Sequence, residues 1–467
     1  MRHFAILAAL LASFVWLSYP NVSAGPFSYD EADYMYAAQR GFIANYLDLP
    51  STSFPDYVRL GLNQGRDLQQ KAKLSQAVRK ASDIFFFRHA HGPVYFYWLT
   101  AVSHWNSNEH FMRAVSLIFP IVTAIALYFG SLWIFPAEQG ALLSILATAS
   151  YLWSPAVIRT TEIAPHQMFV MWFTITLLLL ARLLSDGTRR IWYAAVGITA
   201  IAFCTLEVPF VLIAVVAVCG YLERRRLEFD WRLSVKSLLL FAGVVILVHP
   251  GSILKLAAAK SYLYYAYLAV GRKSPWGNAT LLQTWSRRFT DSPVEWTLVA
   301  VAVYLYLRRR NLPHRWQALP FFLFGTLMLI TMLRVLTTYL RYVLPFLPAL
   351  LVFAAIVCSG VLVTWRPASR IPAVAALCAA LLLNTGWYLQ TRPFKQNPTA
   401  WRLIEAIKKE NLDAKRLLVP HDELPTLHYY FPQADLVAFN ESDPMPPGQF
   451  DAVVRSSDPV RMDLLAK

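Results

Sequence analysis

The feature that most constrains this chain is the regular return of long apolar runs separated by short gaps rich in arginine. The runs lie at approximately 4–19, 111–134, 140–158, 167–184, 191–205, 208–222, 234–253, 293–307, 317–333, 339–363 and 371–389. A helix needs about 20 residues to cross the hydrocarbon of a bilayer, and several runs approach that length. Of the 467 residues only 15% are charged and 57% are hydrophobic, whereas a soluble domain carries about 25% charge. The pattern predicts an all-α polytopic membrane protein of about eleven transmembrane helices.

The first run follows Arg2 and ends near Val22-Ser23-Ala24, small residues that also suit a signal-peptide cleavage site. An uncleaved first helix is the expectation, because the later spans need a membrane scaffold in any case. With the N-terminus inside, the gaps expected on the cytoplasmic side hold Arg182, Arg189 and Arg190; Arg224, Arg225, Arg226 and Arg232; Arg308, Arg309, Arg310 and Arg315; and Arg366 and Arg370. The gap from Pro136 to Gln139 is nearly uncharged. This is the bias that loading positive charge on the inside predicts. It also accounts for the net charge of +15 through orientation and lipid-phosphate contact, and it speaks against a nucleic-acid partner. Cys204, Cys219, Cys358 and Cys378 all fall in apolar runs without metal-ligand spacing, as small packing residues do.

The same parity places outside a loop of about 21–110, a second of about 254–291, and the C-terminal tail. Residues 1–390 are thus expected to form the transmembrane part with its large extracytoplasmic loops, and 391–467 a small soluble α/β domain. In the tail, Asn397-Pro398 suits a helix start, Trp401, Ile404 and Ile407 mark one apolar face, and β-like runs follow at Leu417–Val419, Leu436–Phe439 and Ala452–Val454.

Chemistry-bearing residues gather in the outside segments. Asp30, Glu31 and Asp33 fall in Tyr29-Asp30-Glu31-Ala32-Asp33-Tyr34, just beyond the first run. One reading makes Asp30 a helix cap and the other acids first-turn residues that favour the helix dipole. The other makes them catalytic, and the two are compatible. His89 and His91 lack a third ligand nearby, a weak metal signal, and they precede an aromatic stretch that starts after Pro93. Glu162 lies in the outside gap Arg159–His166, where a solvated loop acid is the plain alternative to a site residue. The second loop carries Lys255, Lys260, Arg272, Lys273, Arg287 and Arg288 beside a tyrosine-rich stretch, Tyr262 to Tyr267. Lipid-phosphate contact and a flat aromatic belt explain these equally. His421-Asp422-Glu423 reads as a strand-to-helix connection with a capping Asp.

Taken in order, the motifs resemble a known group. Tyr29–Tyr34 is followed by His91-Gly92-Pro93-Val94-Tyr95-Phe96-Tyr97-Trp98-Leu99, then by Asn108-Glu109 and Arg113, and late in the chain by Arg341-Tyr342 and Pro345. This order is similar to that of the GT-C glycosyltransferases of the protein-O-mannosyltransferase and aminoarabinose-transferase group (family 39-like). Each motif is short, so their joint order carries the resemblance. Two positions depart from the pattern: Gly92 replaces a proline, and Asp33 stands where the aminoarabinose transferases place an arginine, which removes one phosphate contact.

The resemblance implies transfer of a sugar from a polyprenyl-phosphate donor to a lipid, glycan or protein acceptor on the extracytoplasmic face, in a bacterial inner (plasma) membrane. It implies Asp30 as general base with Glu31 supporting it, Glu162 as the second-loop carboxylate, and Arg341 and His91 as ligands of the donor phosphate. The wider class differs on metal dependence, and the sequence shows no complete ligand set for a divalent ion. The competing reading is a transporter of a polar or lipid-linked substrate. Transporters keep ionisable groups or helix breaks near the midplane and often show repeated halves. Here the acids gather in loops and no repeat is visible, with Glu207 near Pro209 the strongest counter-signal.

Overall fold

A computed structural model describes residues 2–23, 25–39, 91–206, 210–249, 280–335, 339–392, 398–420, 423–439, 448–455 and 461–464. Most of the first outside loop, most of the second, Glu207, Pro209, His421 and Asp422 lie outside the described residues.

Every apolar run carries a helix. In chain order these are α1 (Arg2–Val22), α2 (Tyr29–Gln39), α3 (Pro93–Ser103), α4 (Glu109–Ser116), α5 (Ile118–Ile134), α6 (Ala137–Leu152), α7 (Pro155–Arg159), α8 (Pro165–Asp186) and α9 (Arg189–Phe203). They continue with α10 (Phe210–Leu222), α11 (Trp231–Val248), α12 (Leu281–Asp291), α13 (Pro293–Arg308), α14 (Arg315–Thr331), α15 (Leu347–Leu362) and α16 (Pro367–Thr391). Among the described residues, five helical stretches are long and apolar enough to cross a membrane: α1, Glu109–Ile134 formed by α4 and α5 together, α8, α11 and α16.

Prolines set the departures from the expected spans. The run at 140–158 is split, because Pro155 pushes Ser154 into an extended conformation (ψ 126°) and starts α7 as a separate short helix. Pro120 has no N–H for the Ser116 carbonyl, which marks the seam between α4 and α5. The run at 339–363 opens as a 3-10 turn, Leu340–Tyr342, and becomes α15 only with Pro348 in its first turn. Each break creates a loop or short turn at the same end of the bundle.

The helices pack around one large apolar core that includes Phe14, Phe169, Phe173, Phe324 and Phe353. Hairpin connectivity gives the bundle two chemically different ends. At one end Arg182 donates to the Trp133 carbonyl, Arg189 pairs with Glu228, Arg370 pairs with Glu138, and Gln317 binds Ser185. At the other, Asn21 donates to Thr161 at 2.7 Å, tying the end of α1 to the turn before α8. A second apolar cluster, with Phe27, Met35, Phe96, Leu99, Met112 and Ile163, lies at this end beneath α2.

The C-terminal region forms α17 (Pro398–Lys409), β1 (Arg416–Pro420), α18 (Leu424–Tyr430), β2 (Asp435–Phe439), β3 (Ala452–Arg455) and β4 (Arg461–Leu464). The sheet order is β2-β1-β3-β4. β1 runs parallel to both neighbours, Leu417 facing Leu436 and Ala452, and β4 is antiparallel to β3. The three expected strands are present. The fourth gave no signal because Arg461-Met462-Asp463-Leu464 contains no β-branched or aromatic residue.

Candidate active site

α2 begins two residues earlier than a capping Asp30 requires. The Ala32 N–H donates to the Ser28 carbonyl at 2.8 Å, so Ser28 is the cap residue and Tyr29 the first helical one. The Glu31 carboxylate then accepts the Ser28 N–H at 2.9 Å, half of a capping box. The capping role falls to Glu31, and Asp30 is left facing out of the first turn.

Glu31 is fixed from several sides. Arg113 of α4 donates Nε to Oε1 at 2.8 Å and Nη2 to Oε2 at 2.7 Å, a bidentate pair with both side chains buried. Arg113 also donates to the Gly25 and Pro26 carbonyls, and the Ile163 N–H reaches Glu31 Oε1 at 3.2 Å. Burial works against the Glu31 charge, but Arg113 and the Ser28 and Ile163 N–H groups outweigh it and hold the carboxyl below its usual range. One carboxylate therefore joins α2, α4 and the turn that carries Glu162.

That turn brings a second acid to Asp30. Arg341, in the Leu340–Tyr342 turn, is ion-paired with Asp30 and has Nη1 3.9 Å from Glu162 Oε1. Burial pushes the Glu162 carboxyl up to about 7, with Arg341 pulling against it. Burial also opposes the Arg341 charge, yet Asp30 and then Glu162 hold the guanidinium protonated. The guanidinium lies over Tyr342 at 5.3 Å and Tyr339 at 5.5 Å, and its buried Nε has no hydrogen-bond partner among the described residues.

His91, just before α3, sits at the edge of this cluster. Its Nε2 shares a hydrogen bond with the Tyr34 hydroxyl at 3.2 Å, and its ring is 6.2 Å from that of His166. His166 in turn lies 6.4 Å from Tyr342. Burial, and the nearby Asp30, push the Tyr34 phenol well up, so it stays protonated. Three separated sequence segments thus bring Asp30, Glu162 and Arg341 together, with His91 one residue removed through Tyr34. Glu31 points away into its clamp.

Arg113, Tyr34, His166 and Tyr342 are the residues to which reading the sequence gave no role of their own. Arg113 had a signal, since it ends the Asn-Glu-x-x-x-Arg stretch whose parts now separate physically. Asn108 caps α4 by accepting the His110 N–H at 2.9 Å, Glu109 accepts from Tyr430, and Arg113 clamps Glu31. Of the second-loop basic residues, Lys255, Lys260, Arg272 and Lys273 lie outside the described residues, as does His89. Arg287 is 3.8 Å from Asp291, and Arg288 donates to the Val335 carbonyl at 3.0 Å. Among the described residues no three His, Cys, Asp or Glu side chains gather as a metal-ligand group.

No family model matches the sequence, and no curated protein does. Solved structures do match. The aminoarabinose transferase ArnT of Cupriavidus metallidurans, bound to undecaprenyl phosphate, superposes with a TM-score of 0.58 at 13% identity, over 93% of this chain and 86% of its own. The chain has the GT-C fold. The apo form of ArnT aligns with a TM-score of 0.57 at 12% identity, over 95% of this chain and 87% of its own. The Archaeoglobus fulgidus oligosaccharyltransferase, also of the GT-C fold, gives 0.56 at 11% identity, covering 94% of this chain and 64% of that longer protein. It is also solved with an inhibitory peptide and a dolichol-phosphate, where the TM-score is 0.52. In this chain the predicted acids Asp30 and Glu162 and the predicted Arg341 share one end of the helical bundle.

Proposed function

We propose that this chain is a membrane glycosyltransferase that moves a sugar from a polyprenyl-phosphate donor to an acceptor at the extracytoplasmic face, with inversion at the anomeric carbon. The observation that carries this reading is the meeting of Asp30, Glu162 and Arg341 at the bundle end opposite the arginine-rich gaps. The solved complexes of ArnT with undecaprenyl phosphate and of the archaeal enzyme with dolichol-phosphate support the donor class.

The transmembrane part, residues 1–390, then holds about eleven spans with the N-terminus cytoplasmic, and residues 391–467 form a soluble extracytoplasmic domain. A bacterial inner membrane is the setting. The donor lies with its tail between helices and its phosphate at Arg341, with His91 as the second ligand. An arriving phosphate competes for the guanidinium that now holds Asp30, and it meets the unpartnered Nε. Asp30 is released as the anion docks. The acceptor oxygen or nitrogen attacks the anomeric carbon, Asp30 takes its proton, and the glycosidic C–O electron pair leaves on the phosphate oxygen. Arg341 neutralises the extra charge that develops there. Glu31 positions Asp30 through α2, and Glu162 is the second carboxylate facing the reacting groups.

The test is transfer by purified protein offered a panel of radiolabelled polyprenyl-phosphate sugars. Asp30→Asn is expected to lower kcat by about 10²–10⁴-fold while donor binding persists. Arg341→Ala is expected to weaken donor binding itself. Full turnover by Asp30→Asn overturns the base assignment, and transfer from a nucleotide sugar overturns the donor class.

A further inference from the structure

A groove of about 540 Å³ lies between α9, α10 and α11, at the arginine-rich end of the bundle. Its volume falls in the range of about 300–1,000 Å³ typical of small-molecule sites. Trp192, Val196, Ile213, Val216, Leu238 and Phe241 form its walls. Gly220 makes the floor possible, because a Cβ there would come within 2.6 Å of the Trp192 ring. The serine and threonine hydroxyls that line it are already engaged. Ser237 accepts the Trp192 indole N–H at 2.8 Å and donates to the Leu233 carbonyl, Thr199 donates to Ala195, and Ser234 donates to Asp230. Such walls suit hydrocarbon.

The mouth has the opposite chemistry. Arg224 lines it, lies 4.2 Å over Tyr221 and donates one N–H to the Tyr221 carbonyl at 3.0 Å. The nearby acids are taken: Glu223 lies 3.5 Å from Arg226, Glu228 lies 2.8 Å from Arg189, and Asp230 caps α11. Among the described residues no carboxylate pairs with Arg224, Arg225, Arg190 or Arg232. An apolar slot that opens under surplus guanidinium charge matches an anionic headgroup above an acyl chain.

We propose that this groove binds one anionic phospholipid, with an acyl chain along α9–α11 and its phosphate at Arg224. The lipid belongs to the leaflet opposite the candidate active site. α8 separates the two ends with 22 residues, or about 33 Å at roughly 1.5 Å per residue. A donor phosphate bound at Arg341 therefore cannot also occupy Arg224, and the inference stands independently of the proposed activity.

Native mass spectrometry of the full chain, incubated in mild detergent with phosphatidylglycerol or phosphatidylcholine of identical chains, tests it. One phosphatidylglycerol per chain is expected to be retained, with roughly fivefold preference over phosphatidylcholine, whose choline already neutralises its phosphate; that is the scale of one arginine beside a net negative headgroup. Arg224→Gln is expected to erase the preference and Arg224→Lys to keep most of it. Ala217→Trp, at an exposed groove position, is expected to reduce retention of both lipids. Equal retention of the two lipids by the unaltered chain, a measurement that needs no variant, overturns the proposal, as does unchanged binding in Arg224→Gln or Ala217→Trp.

Discussion

At the scale of single residues, two neighbours in sequence have opposite fates. Asp30 is about one-third exposed and ion-paired with Arg341, whereas Glu31 is buried against Arg113. Removing one partner of a buried pair leaves a stranded charge, at a cost of about 3–5 kcal/mol. Arg113→Ala is therefore expected to destabilise the protein by roughly that much, read as an earlier thermal unfolding transition in detergent. Glu31→Gln is expected to cost less, because Arg113 keeps its bonds to the Gly25 and Pro26 carbonyls. Glu162 supplies a pH signature. Its carboxyl rises from the usual 4.5 to about 7, so the folded protein holds this proton more tightly than the unfolded chain does. Its contribution to stability is thus fully present below about pH 4.5 and is lost as the pH rises through about 7. Thermal unfolding across that window is expected to show a fall with pH that Glu162→Gln flattens; an identical slope in the variant would remove Glu162 as its source. The sequence picked out Asp30, Glu162 and Arg341 as candidates. It could not say that Glu31 faces a clamp, because adjacent helical positions diverge by a direction that only the packing of α2 fixes.

At the scale of elements, α2 is held from above as well as below. α18 of the C-terminal region packs on it, with Tyr36 and His428 ring centroids 4.6 Å apart and those of Phe27 and Tyr429 5.1 Å apart. The Tyr430 hydroxyl accepts the Phe27 N–H at 3.0 Å and donates to Glu109, while the Tyr429 hydroxyl donates to the Ser107 carbonyl at 3.2 Å. Burial, with Glu109 beside it, raises the Tyr430 phenol, so it remains a donor. Tyr430→Phe strands a backbone N–H and a carboxylate at this junction. The expected loss is about 1–3 kcal/mol, accompanied by faster protease cleavage between α16 and α17; unchanged cleavage would show that the tyrosine does not hold the contact. Helices were legible from apolar length, and β1 to β3 from short β-like runs. Docking of α18 on α2 was not, because the contact joins segments about four hundred residues apart and no local pattern encodes such a pairing.

At the scale of the whole molecule, the fold sorts charge by end. Arginine gaps collect where α8 finishes, and the acid-bearing turns collect where it begins. In the proposed topology these ends face opposite sides of the membrane, which accessibility labelling can check. In a background with the four native cysteines replaced by alanine, Gln39→Cys is expected to react with an impermeant thiol reagent in intact cells. Arg225→Cys is expected to react only after permeabilisation. Labelling of both from one side would defeat the topology and the mechanism with it. The sequence alone determined the class of molecule, because hydrophobic length and the spacing of arginines act locally and need no partner to be read. It also determined which residue types wait in the loops. Only the tertiary structure decided which of them meet: burial and ion pairing depend on how distant segments pack, and that packing set Asp30 against Arg341 while it shut Glu31 away with Arg113.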